Sequence, residues 1–86
     1  MTLRQIKAVY YGTNGTGRRK VIKTNVGWRP RTMVLHSLDH LQRDEYGANV
    51  CEVFDASVGT LHAVLKRTAM KVEVIYRRDP KLARFA

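Results

Sequence analysis

The chain has 86 residues, 44% of them hydrophobic, which suits one domain with one modest core and excludes two. No apolar run approaches the ~18 residues of a membrane-spanning helix, no signal-peptide pattern opens the chain, and the single cysteine, Cys51, has no partner for an internal disulfide. A soluble protein of a reducing cytoplasm is expected. The net charge of +9 is unevenly divided: residues 1–38 hold eight Lys or Arg and no acid, whereas from Asp39 onward eight basic residues face seven acidic ones. Such a divide within one small domain predicts a basic lobe.

In chain order, Leu3 to Tyr11 predicts a strand with Ile6, Ala8 and Tyr10 on one face and Gln5, Lys7, Val9 and Tyr11 on the other. Gly12 to Gly17 follows, with Asn14-Gly15 as a tight-turn signal. Arg18 to Val26 resumes the extended pattern through Ile22, Thr24 and Val26, so the two runs form a β-hairpin with a basic shoulder at Arg18, Arg19 and Lys20. Gly27-Trp28-Arg29-Pro30 ends the strand and opens a helix, because proline loses nothing in the first helical turn.

That helix is expected from roughly Pro30 to Tyr46, with Gly47 as its stop. Val34, Leu38 and Leu41 share its apolar stripe, flanked by Leu35 and Ser37, while His36, Asp39, His40 and Arg43 point the other way. Asn49 to Arg78 then reads as a three-strand meander with turns at Asp55–Gly59 and Thr68–Met70. Its alternating rows are Leu61, Ala63 and Leu65, then Val72, Val74 and Tyr76. Asp79-Pro80 suggests a short C-terminal helix or a tail over residues 79–86, where Leu82 and Phe85 lie three apart. The fold class is α+β: a single domain over residues 1–86, ordered β-β-α-β-β-β, with one amphipathic helix on a mostly antiparallel sheet.

Most chemical motifs fail on context. Gly12, Gly15 and Gly17 lead into a strand, whereas a nucleotide loop leads into a helix whose N-terminus holds the phosphate. His36 and His40 have ligand spacing on a helix, but no Glu stands at position 37, and Asp39 and His62 become third ligands only by an accident of folding, so no metal is expected. Cys51, alone in a strand, reads as a small buried hydrophobe without a base to activate it. Asp44 and Glu45 read as a solvated helix end. Neither an enzyme nor a cofactor is expected.

The basic residues fit a pattern. Arg4 and Lys7 line the first strand, Arg18, Arg19, Lys20 and Lys23 the second, and Arg29 and Arg31 surround the helix start. Cations there oppose the helix dipole unless an anion answers them. Trp28 and the pair Tyr10-Tyr11 are candidates to stack on bases, and a two-stranded ribbon fits a major groove. The plainer reading places Trp28 and the tyrosines in the core beneath a solvated basic surface. The expectation is a non-enzymatic binding module contacting nucleic-acid phosphates through these residues. The alternative is a protein-binding module whose basic lobe docks an acidic host protein, or whose free sheet edges pair with a partner strand or with a second copy as a homodimer.

The segments Cys51-Glu-Val-Phe-Asp55, Gly59-Thr-Leu-His-Ala-Val64 and Tyr76-Arg-Arg-Asp-Pro80 resemble the small orphan proteins of bacteriophages, particularly those infecting actinobacteria. The resemblance spans the C-terminal half and contains no functional motif. It implies expression in a bacterial cytoplasm and an accessory or host-directed role, and it carries over no site residues.

Overall fold

The computed structural model of the chain describes residues 4–13 and 19–78. Its elements are β1 (Ile6–Thr13), β2 (Arg19–Gly27), α1 (Pro30–Arg43), β3 (Val50–Asp55), β4 (Leu61–Arg67) and β5 (Val72–Arg77). All neighbouring strands run antiparallel in one sheet ordered β2-β1-β3-β4-β5. The expected α+β order is therefore the observed one. The hairpin and the meander meet along β1 and β3, so α1 crosses over β1 to join β2 to β3, a split β–α–β. The tip of the glycine loop with Arg18, and the expected element over residues 79–86, lie outside the described residues.

Alternation along β1 buries Ile6, Ala8 and Tyr10 under the helix, against Cys51, Val53, Ala63 and Leu65 of the next two strands. The helix answers with Met33, Val34, Ser37 and Leu41. At 100° per residue these four fall within an arc about 100° wide, with Leu38 at its margin. The stripe thus differs from the expected one: Ser37 is fully buried, Leu38 is only partly buried, and Leu35 is exposed. Ser37 is tolerated because its hydroxyl donates to the Met33 carbonyl at 2.7 Å and accepts from Tyr10 at 3.2 Å.

The helix ends at Arg43, three residues before the expected Tyr46. Asp44 takes the left-handed conformation (φ 55°), and the N–H groups of Asp44 and Glu45 turn back to the carbonyls of Leu41 and His40. Aspartate tolerates this backbone better than most side chains, and Arg67 holds its carboxylate at 2.6 Å.

Three β-bulges redirect side chains that simple alternation would align. His62 is the extra residue between Ala63, opposite Val53, and Leu61, opposite Phe54. Ile75 is the extra residue between Val74, opposite Leu65, and Tyr76, opposite Val64. One inserted residue reverses the alternation beyond it. Leu61 and Tyr76 therefore leave the rows expected for them and join the sheet face away from the helix. On β2 the extra residue is Ile22, between Lys23 (opposite Tyr10) and Val21 (opposite Tyr11). Ile22 lies close over Gly12, where an added Cβ would sit 2.6 Å from its Cδ1.

The helix packs on β1, β3 and β4 and touches β5 lightly, so the edge strand β2 lies outside its main footprint. No helix among the described residues is long and apolar enough to cross a membrane.

Candidate nucleic-acid interface

Each of the six acidic residues among the described ones lies within ion-pair distance of a basic side chain. Four of them meet partners from the second half of the chain: Asp39 with Arg43, Asp44 with Arg67, Glu45 with His40 and Glu73 with Lys71. The other two described acids reach back to the basic first half. Asp55 lies 3.6 Å from Arg4, and Glu52 lies 3.8 Å from Arg19, whose guanidinium also stands 5.5 Å from the Tyr11 ring centroid. Among the described residues, Lys7, Lys20, Lys23 and Arg29 have no acid within that distance.

The strand pleat then divides the expected patch. Lys20 pairs with Gly12 and Lys23 with Tyr10, which places both on the helix side of the sheet. Arg19, opposite Thr13, and Lys7, opposite Val26 and Phe54, lie on the other face. Arg4 sits at the end of the sheet with Asp55. Tyr10 is part of the core and is no stacking surface, a correction enforced by the helix above it. Tyr11 is partly covered, while Trp28 is 55% exposed. Arg29 and Arg31 are both exposed at the start of the helix.

One part of the original set does come together. Because β2 projects beyond the helix, its helix-side residues form a ledge beside α1. Lys23 stands with its Nζ 6.0 Å from the Tyr46 ring centroid, and Asn25 donates to the Tyr46 hydroxyl at 3.3 Å. Tyr46 packs edge-on against Tyr10 at 4.8 Å, and the His40 ring lies tilted against it at 5.0 Å. His40 in turn holds Glu45, the residue before Tyr46, through Nδ1 at 2.8 Å, so that acid is already engaged. Sequence reasoning missed Tyr46, His36 and His40 as neighbours of the basic strand. The only available signal was the helical spacing of the two histidines, which suggested ligands instead of a wall.

At its Gly27 end the ledge opens into a groove of about 290 Å³ lined by Val26, Gly27, Trp28, Arg29, Thr32, Met33 and His36. Gly27 permits this shape: a Cβ there would stand 2.5 Å from the Met33 sulfur. The helix begins beside the groove with Arg29 at its N-cap, no side-chain cap and no acidic residue in the first turn. The helix dipole adds positive potential to that of Arg29. This end therefore offers a flat aromatic surface next to fixed positive charge.

Nucleophilic chemistry at Cys51 is suppressed, since burial pushes its thiol up to about 11. Among the described residues no three His, Cys, Asp or Glu side chains converge to hold a metal ion. Comparisons of the chain with protein-family models, with curated proteins and with solved structures found no match.

Proposed function

We propose that this protein is a small non-enzymatic binding module that contacts nucleic-acid phosphates along the ledge between β2 and α1. The observation that carries the reading is the pairing pattern. Every described acid already lies beside a basic side chain, four of the six beside one from the second half, while Lys20, Lys23 and Arg29 have no acid partner among the described residues and follow one edge of the fold. Cations left unpaired along a line match a ligand with regularly spaced negative charge. Their positions favour backbone contact with weak sequence selectivity, because base-reading side chains of the Asn or Gln type are sparse there.

Counterion release then makes affinity fall steeply with salt. The test is a titration of random-sequence DNA and RNA at several salt concentrations, repeated with Lys20, Lys23 and Arg29 changed to alanine. Binding with a steep salt slope that flattens in the variant supports the module. Absence of binding at low salt overturns it in favour of the same cations docking an acidic protein surface.

A further inference from the structure

We infer that the preferred ligand of the ledge is a single-stranded nucleic acid with one unstacked base seated on Trp28, an inference that rests on the phosphate-contact reading above. Trp28 is the only tryptophan of the chain, and more than half of its surface is exposed although the groove beside it is largely apolar. The exposed indole borders the groove with Met33, and Arg29 is adjacent in sequence, so this end presents groups for both halves of a nucleotide: a planar apolar surface for the base and a cation for its phosphate.

From that seat Lys23 and Lys20 follow β2 at about 3.3 Å per ladder position, so with Ile22 bulged out they stand roughly 16 Å and 23 Å along the strand. This is one line of charge bordered by the helix, suited to one extended strand. A duplex offers its phosphates freely but keeps its bases stacked, and must release one before Trp28 can engage it. Charge complementarity therefore admits any polyanion, whereas the Trp28 groove rewards only one with an accessible base.

Because Trp28 is the sole indole, intrinsic fluorescence reports on the seat directly. The full chain is titrated at low salt with an oligothymidine of about 20 nucleotides, with a duplex of the same length and with inorganic polyphosphate. The expected result is quenching of Trp28 by the single strand, with affinity at least about tenfold above that for the duplex. Trp28→Ala then weakens single-strand binding roughly five- to a hundredfold, the effect of losing one stacked base, and Trp28→Phe recovers part of the loss. Equal affinity for single strand and duplex overturns the inference. So does unchanged Trp28 emission during binding, or polyphosphate competing equally charge for charge. Those three outcomes leave the phosphate-contact reading intact. Failure of all three ligands to bind at low salt overturns both.

Discussion

The hydroxyl of Tyr10 on β1 donates to Oγ of Ser37 on α1 at 3.2 Å, and Ser37 passes its own hydrogen to the Met33 carbonyl at 2.7 Å. This buried chain ties the helix to β1, the strand beside β2. Removing either end has unequal effects. Tyr10→Phe forfeits one hydrogen bond but leaves Ser37 donating to Met33, at about 0.5–1.5 kcal/mol. Ser37→Ala strands the buried Tyr10 hydroxyl without that partner and costs about 1–3 kcal/mol. Urea unfolding of both variants measures the order, and Tyr10→Phe proving the more destabilising would contradict it.

Charge removal on the ledge and on the far side of the sheet has different consequences. Lys20→Ala or Lys23→Ala removes one phosphate contact and lowers the log–log salt slope for a single strand by about 0.7. Lys66, opposite Val50 and Glu73 on the face away from the helix, also lacks an acid partner among the described residues. Lys66→Ala leaves affinity and slope nearly unchanged. An equal loss in all three variants places the ligand elsewhere.

Cys51 is shielded by burial, and its thiol is pushed up to about 11. At pH 8 the folded protein resists a colorimetric thiol reagent, and reacts at the rate of a free cysteine only once guanidinium unfolds it. Rapid reaction of the native protein at that pH contradicts the described core.

Two groups weaken the fold on the acid side in sequence. Burial, aided by the nearby Arg78, lowers His62 below its ordinary value of 6.5, although Asp55 opposes the shift. The neutral imidazole's advantage is complete above 6.5 and is lost as pH falls through the lowered folded value. The Asp55 carboxyl is held below its ordinary 3.8 first by the Ser57 hydroxyl, then by the Ser57 and Val58 N–H groups and Arg4. Its contribution persists above 3.8 and disappears below, through its own folded value. Stability measured against pH therefore declines first through His62 and later through Asp55. His62→Gln removes the earlier decline and leaves the later one, and a His62→Gln profile identical to that of the parent counts against this assignment.

Element order, the hairpin and meander, the α+β class and the buried side of β1 were all legible in the residues alone. These follow from local rules: a period of two in Ile6, Ala8 and Tyr10, turn residues between runs, and Pro30 at a helix start. Charge asymmetry was equally legible, because it is a property of composition. Which cations share a surface emerges only once the strands are paired. Arg19 and Lys20 are neighbours in the chain but face opposite sides of the sheet, and Arg19 meets Glu52, 33 positions away in sequence. Tyr46 and Lys23 come together only because the helix folds back over β1. The bulges at His62 and Ile75, which send Leu61 and Tyr76 to the outer face, have no local signature, since an extra residue in a ladder is defined by its partner strand. Periodicity can assign a face within one strand, but pairing between strands sets register, and register decides which charges meet.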